Sequence, residues 1–72
     1  MALQPLMIPV RSTALKRIGY DEGTLWVEFH HSGLYEYRNV PPSLYRDFRF
    51  DASKGAFFDR HIRGRYQSRK IC

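Results

Sequence analysis

The sequence predicts a small α+β domain, in which a three-stranded antiparallel β-meander is followed by two short C-terminal helices packed on one face of the sheet. Three segments before residue 40 show the two-residue alternation of a half-buried strand, and glycine-containing turns separate them. After two adjacent prolines, the apolar residues change to the spacing of a helix. A chain of 72 residues has room for one hydrophobic core, so we expect one domain.

The strands are predicted over residues 10–20, 24–31 and 34–40. Alternation is imperfect in the first segment and clearest in the second. Gly23 and Gly33 lie in the two connections, where glycine supplies the positive φ that a hairpin turn needs. The residues expected on the buried face of the last two strands are Leu25, Val27, Phe29, Tyr35 and Tyr37.

Pro41 and Pro42 end the third strand, because proline donates no hydrogen bond to a sheet. Proline is tolerated in the first helical turn, so the first helix is expected to begin here. Ser53 is predicted to cap a second short helix, which Gly64 ends. The inward-facing residues of the two helices are expected to be Leu44, Tyr45, Phe48, Phe57, Phe58 and Ile62.

This assignment divides the chain into a lead-in (residues 1–9) with no element of its own, a domain (10–66) and a basic C-terminal tail (67–72). No apolar run approaches the roughly 20 residues that cross a bilayer. The first nine residues lack the pattern of a secretory signal, and a single cysteine allows no internal disulfide. We therefore expect a cytoplasmic protein without membrane contact.

The positive charge of the chain is concentrated at its end. The sequence has 12 basic and 7 acidic residues, giving a net charge of +5. Residues 1–59 contain seven of each, so the five basic residues from Arg60 onward account for the whole excess. A neutral body with a basic end indicates an anionic partner at that end, although a merely solvated basic surface has the same composition.

The candidate nucleic-acid-binding residues follow from this charge distribution and from nearby aromatic residues. Lys54 lies at the expected start of the second helix, where backbone amides favour a phosphate. Trp26 is expected on the outer face of the sheet, exposed for stacking or covered by the N-terminal segment. The tyrosines of the third strand are better explained as core. The remaining candidates are Arg60, Arg63, Arg65, Tyr66, Arg69 and Lys70.

Catalytic and metal-binding patterns are weak in this sequence. His30 and His31 are adjacent on a strand and point to opposite faces, so one ion cannot easily use both. Cys72 lies at the end of the chain, where catalytic geometry is hard to maintain. We therefore predict no enzymatic activity, no metal, no cofactor and no small-molecule substrate.

The ordered series of residues also resembles a known family. Its centre is Tyr35-Glu36-Tyr37, which is similar to the YxY motif of KTSC domains, a family named for the C-terminal domain of some lysyl-tRNA synthetases. The resemblance covers residues 10–66 and implies a single-domain member with no catalytic residues. RNA binding is the role that the resemblance suggests. The other residues that carry it are Val10, Ser12, Ala14, residues 18–20 and 25–29, Gly33, Val40, Pro41, Tyr45, residues 52–55, Phe57, Phe58, Ile62, Arg63 and Tyr66.

Together these observations predict a small binding domain that contacts nucleic acid, RNA before DNA, through a basic C-terminal face. The alternative is a protein–protein interaction module, either an adaptor or a small inhibitor of a larger enzyme. Such a module would dock on an acidic protein surface with the same arginines, which are favoured at protein interfaces.

Overall fold

The computed structural model describes residues 5–72 and shows an antiparallel sheet of five strands, arranged in the order in which they occur in the chain. Two helices lie between the fourth and fifth strands in sequence. The α+β prediction is confirmed, but the prediction of a three-stranded meander is wrong. The elements are β1 (Ile8–Pro9), β2 (Leu15–Asp21), β3 (Thr24–Phe29), β4 (Gly33–Tyr37), α1 (Pro42–Phe50), α2 (Lys54–His61) and β5 (Ser68–Lys70).

The central meander forms where alternation and turn residues predict it. Asp21 pairs with Thr24, so the connection between β2 and β3 contains two residues. Both of these, Glu22 and Gly23, have positive φ, as a tight two-residue hairpin turn requires. Gly33 pairs with Phe29 at the start of β4 and also has positive φ. These turns fix the register that places Val27 opposite Ile18 on one side and Tyr35 on the other.

The first strand comes from the segment that the sequence assigns to a structureless lead-in. Ile8 pairs with Ile18, and Pro9 pairs with Arg17 at the edge of the sheet. An edge strand tolerates proline because one of its sides needs no ladder hydrogen bonds. The prediction that residues 1–9 form no element is therefore wrong for Ile8–Pro9, while residues 1–4 lie outside the described part of the chain.

The last strand comes from the basic tail, which the sequence describes only by its charge. Lys70, Arg69 and Ser68 pair with Tyr35, Glu36 and Tyr37 of β4, respectively. The pairing continues past the strand, because the backbone N–H of Leu34 donates to the carbonyl oxygen of Cys72 at 3.0 Å. A side chain at position 33 would collide with that carbonyl, since an added Cβ would overlap the Cys72 oxygen. Glycine at this position therefore lets the end of the chain join the sheet.

Both helices pack on one face of the sheet and close the core there. Phe48 of α1 and Ile62, which follows α2, are fully buried, and Phe58 is nearly so. These positions agree with the predicted inward-facing stripes. The other side chains with almost no exposed surface are Leu15, Ile18, Leu25, Val27 and Val40.

The start of α2 differs from the prediction in its hydrogen bonding. Ser53 occupies the position before the helix, but its side chain accepts no capping hydrogen bond. Instead, the carboxylate of Asp51 accepts a bond of 2.8 Å from the backbone N–H of Ser53. The prediction of a serine cap is therefore wrong. The carboxylate of Asp51, through its bond to the Ser53 backbone, stabilises the segment between the two helices instead.

Candidate nucleic-acid interface

The last strand divides the predicted basic residues between the two faces of the sheet. Paired residues of neighbouring antiparallel strands lie on the same face, and successive residues of a strand alternate. Lys70 therefore shares the helix-covered face with Tyr35, whereas Arg69 lies on the opposite face with Glu36. Two adjacent cations in the sequence thus belong to different surfaces of the molecule.

On the face away from the helices, Glu36 is a buried carboxylate with 7% of its side chain exposed. The Nη2 of Arg69 lies 2.9 Å from its Oε1, and the Nη2 of Arg38 lies 3.4 Å from the same oxygen. A buried carboxylate needs such partners, because removing it from water is costly. Arg69 therefore compensates a buried charge and joins β5 to β4.

Trp26 lies beside Glu36 on the same face, and the expectation of an exposed indole is wrong. Only 8% of Trp26 is exposed. Its other neighbour in the register is Gly19, and a Cβ added to Gly19 would approach the side chains of Pro5 and Met7 and the backbone of Leu6. The N-terminal segment thus covers this part of the sheet, which agrees with the alternative that the sequence left open.

An open cleft of about 520 Å³ lies between the helix-covered face of the sheet and α2. Its lining combines aromatic rings, hydroxyl groups and one ion pair. Of the residues predicted to bind nucleic acid, only Arg63 is part of the lining. The lining residues are Ala14, Leu15, Phe29, Ser32, Tyr35, Tyr37, Gly55, Phe58, Asp59, Arg63, Gly64 and Ser68.

Edge-to-face contacts hold the aromatic rings of the cleft in place. The ring of Phe29 meets that of Tyr35 at a centroid distance of 5.7 Å and an angle of 83°. Phe58 of α2 packs in the same way against Phe29 at 5.2 Å and against Tyr37 at 5.5 Å. This arrangement is favourable for aromatic pairs and fixes the shape of the cleft.

The cleft also contains hydroxyl groups that are free to bind a ligand. Within residues 5–72, the side-chain hydroxyls of Ser32, Tyr35, Tyr37 and Ser68 form no hydrogen bond. Burial raises the pKa of Tyr37 to about 12, with a further contribution from Tyr35. Tyr37 is therefore a neutral hydrogen-bond donor at any physiological pH.

Three predicted cations lie beside the cleft. Arg63 lines it and makes an exposed contact of 3.5 Å with Asp59. Arg65 follows the lining residue Gly64, and Lys70 lies opposite the lining residue Tyr35. Arg65 and Lys70 form no ion pair with residues of the described chain.

Of the other predicted site residues, Arg60 lies next to Arg65, whereas Tyr66 and Lys54 make contacts within the structure. The backbone carbonyl of Arg60 accepts a hydrogen bond from Nε of Arg65, which keeps these two exposed arginines together. Tyr66 is half-buried and packs against the core. The Nζ of Lys54 donates to the backbone carbonyl of Asp51 at 2.7 Å, so its ammonium group supports the link between the helices.

The sequence did not identify the sheet-side residues of the cleft. Phe29 and Tyr35 alternate with polar residues as core residues do, and this pattern predicts burial without showing where the helices leave the sheet uncovered. Tyr37 is buried as predicted, but Tyr35 remains half-exposed. No signal in the sequence marks Ser68, because its position depends on the pairing of β5.

Within the described chain, no group of three or more histidine, cysteine, aspartate or glutamate side chains is arranged to bind a metal ion. Across residues 5–72, neither helix has the length and apolar character needed to cross a membrane.

The structure thus defines the class of the protein. It is a small α+β domain with a five-stranded sheet and an aromatic cleft flanked by cations. The model of the KTSC domain family matches residues 11–66, and the chain belongs to this family. This chain is similar to the crystal structure of a KTSC domain protein from Yersinia pestis, with a TM-score of 0.90 and 38% sequence identity. That similarity covers 93% of this chain and 97% of the Yersinia chain.

A curated relative is the lysine–tRNA ligase of Nostoc punctiforme, which is 33% identical over 69 residues. The aligned region is 93% of this chain but only 12% of the ligase. This chain therefore corresponds to a small part of that enzyme.

Proposed function

We propose that this KTSC domain is a non-enzymatic binding domain that contacts nucleic acid, RNA before DNA, through the surface beside the cleft. The observation that supports the proposal is the coincidence of two features. All the net positive charge lies after residue 59, and three of those cations flank an open cleft lined by aromatic rings. Cations beside exposed aromatic surface are typical of proteins that bind single-stranded nucleic acid.

The proposed phosphate contacts are Arg60, Arg63, Arg65 and Lys70. Arg69 is left out, because its guanidinium already compensates the buried Glu36. The ion pair between Arg63 and Asp59 is exposed, and such pairs add little free energy of stabilisation. A phosphate can therefore displace Asp59 from Arg63 at little cost. Each phosphate neutralised on a single strand should contribute about 0.7 to the slope of log affinity against log salt.

Two considerations favour RNA and unpaired strands. The curated relative that contains a similar region is named as a lysine–tRNA ligase, so that protein acts on an RNA. Sequence-specific RNA recognition targets unpaired bases, which stack on aromatic side chains of the protein. The half-exposed Tyr35 and Phe29 supply such surface in the cleft.

The test compares two double variants with the same loss of charge. Arg63→Gln/Arg65→Gln removes two of the proposed contacts, and Arg46→Gln/Arg49→Gln removes two exposed arginines of α1, which does not line the cleft. Fluorescence anisotropy with labelled single-stranded RNA should show weaker binding by the first variant only. Its salt slope should flatten by about 1.4, the value for two lost contacts.

Equal affinities and slopes for the two double variants would contradict the proposed surface. Circular dichroism of both variants provides the folding control. If neither variant nor the unchanged protein binds any nucleic acid at low salt, the basic surface is better explained by an acidic protein partner.

A further inference from the structure

We propose that the cleft between the sheet and α2 binds one unpaired nucleobase of the nucleic acid, with an adjacent phosphate against Arg63. This inference rests on the proposed function and deepens it, because it assigns separate roles to the cleft and to the cations beside it. It concerns Tyr35, Tyr37, Ser32 and Ser68, which lie outside the set of basic residues.

The size and openness of the cleft suit a small planar group that enters from solvent. Its volume of about 520 Å³ lies within the range of roughly 300–1,000 Å³ that is usual for small-molecule sites. The floor is rigid, because Phe58 of α2 holds Phe29 and Tyr37 through edge-to-face contacts. A ligand would therefore meet a preformed surface rather than create one.

The aromatic side chains of the cleft are not equally buried. Tyr37 and Phe58 are buried and form the base of the cleft, whereas Tyr35 and Phe29 are half-exposed. The last two are partly buried against the core and line the cleft, so we place the stacked base against them. Every base offers a π-face for such a contact. An aliphatic ligand would gain nothing from this arrangement beyond burial.

The polar groups of the cleft favour a heteroaromatic ring over a purely apolar one. Tyr35, Tyr37, Ser32 and Ser68 bring four hydroxyls without a partner in residues 5–72, and each hydroxyl can donate and accept. The edge of a nucleobase presents both donors and acceptors. Since the four residues line the same cleft as the aromatic rings, their hydroxyls are the groups that would pair with the edge of a base bound there.

The charged residues at the cleft indicate where the phosphate of the same nucleotide would bind. Arg63 and Asp59 line one side and make the exposed contact of 3.5 Å. An incoming phosphate can replace Asp59 as the partner of Arg63, because a guanidinium binds phosphate in a bidentate geometry. Lys70, which lies opposite Tyr35 in the sheet, is available to the next phosphate along the bound nucleic acid.

The experiment separates base binding from phosphate binding. Two labelled single-stranded oligonucleotides of equal length are compared by anisotropy, one with normal bases and one fully abasic. The variant Ser68→Phe places a phenyl ring in the cleft from β5. The control Gln67→Phe introduces the same side chain at the next position, which does not line the cleft and lies beside Arg38 and Arg69. Both replaced residues are exposed, and neither change alters the charge.

We expect the unchanged protein to bind the normal oligonucleotide about 5- to 150-fold more tightly than the abasic one, the range for one stacked base. Ser68→Phe should remove this difference and leave the abasic affinity and the salt slope unchanged. Gln67→Phe should retain it. Tyr35→Leu, which keeps apolar packing but removes the ring and hydroxyl, should act like Ser68→Phe.

Equal affinity for normal and abasic strands, with a steep salt slope, would overturn the cleft assignment while leaving phosphate binding intact. Loss of the difference in Gln67→Phe as well as Ser68→Phe would overturn it too. Absence of binding to either strand would contradict the proposed function itself, and with it the base site.

Discussion

The two faces of the sheet use their charged side chains in different ways, although the same strand supplies a cation to each. On the face away from the helices, Arg69 and Arg38 surround the buried carboxylate of Glu36, and Arg17 pairs with Glu28 at 2.6 Å. On the helix-covered face, Lys70 lies opposite Tyr35 and forms no ion pair with residues 5–72. On one face the cations are paired with carboxylates, and the other face presents cations beside a cleft.

This difference shows that the number of cations in a segment is not the number available to a ligand. Five basic residues follow Asp59 in the sequence, and composition treats them alike. Because side chains alternate along β5, Arg69 lies on the face of Glu36 and pairs with it. Its neighbour Lys70 lies on the face of the cleft, opposite Tyr35. This division can be tested first at the ion pairs of Glu36, then at Tyr37 on the helix-covered face and finally at Lys70.

The largest effect is expected from removing both arginines that compensate Glu36. Arg38→Ala/Arg69→Ala removes both cations from Glu36, whose side chain is 7% exposed in the unchanged protein, and should lower the free energy of unfolding by about 3 kcal/mol. A domain of this size has a net stability of only about 3–5 kcal/mol, so urea unfolding followed by circular dichroism should show a partly unfolded protein.

The control for this prediction is Arg46→Ala/Arg49→Ala, which removes the same charge from exposed positions of α1 and should change stability little. Adding Glu36→Gln to the first variant should recover part of the loss, because the buried group is then neutral. Equal unfolding midpoints for the two double variants would show that the ion pairs of Glu36 do not stabilise β5.

The second prediction concerns alkaline pH and the helix-covered face. Burial raises the pKa of Tyr37 from 10.0 in the unfolded chain to about 12 in the folded protein. The folded state therefore binds this proton more tightly, so its contribution to stability is complete below pH 10 and declines as the pH rises to 12. The expected loss across this window is about 2 kcal/mol.

Urea titrations at several values between pH 8 and pH 12 measure this decline, and Tyr37→Phe should make it shallower. Burial also raises the pKa of Tyr45, so part of the decline should remain in the variant. Tyr66→Phe, which removes a hydroxyl from another half-buried ring, is the control. A decline of the same size in all three proteins would mean that Tyr37 is more hydrated than its 6% exposure indicates.

The smallest effect is expected for Lys70→Gln, which removes one cation from the cleft side of β5. Its free energy of unfolding should be unchanged, because Lys70 is exposed and forms no ion pair with the described residues. The salt slope for single-stranded RNA should flatten by about 0.7, the value for one phosphate contact. An unchanged slope measured by anisotropy would remove Lys70 from the interface.

The central part of the fold could be predicted because local signals agree there. The alternation of residues 24–31, the glycine turns and the two prolines before α1 each specify a short stretch of backbone by themselves. The buried positions of Phe48, Phe58 and Ile62 follow from helical spacing in the same way.

The edge strands could not be predicted because their stability comes from the neighbouring strands. Ile8–Pro9 has two residues and includes a proline, and Ser68–Lys70 is polar and exposed, so neither has an intrinsic strand pattern. Each pairs because the central meander offers an unpaired edge. Their assignment requires the three-dimensional register.

The candidate site shows the same limit. The sequence identifies the cluster of cations, but it groups Arg69 with Lys70 and leaves open whether Trp26 is exposed or covered by the N-terminal segment. The burial of Trp26 depends on contacts of the N-terminal segment with Gly19, far away in the sequence. The cleft likewise exists only because residues of α2 and β5 border the same part of the sheet, beside Tyr35.

The most direct test of the central claim is the affinity of the unchanged protein for labelled single-stranded RNA, tRNA and duplex DNA between roughly 50 and 200 mM salt. We expect binding to RNA with a salt slope of about −2.8, the value for four contacts from Arg60, Arg63, Arg65 and Lys70. Binding to single-stranded RNA should exceed binding to duplex DNA. If the protein binds none of these nucleic acids at the lowest salt concentration, the proposed interface is wrong.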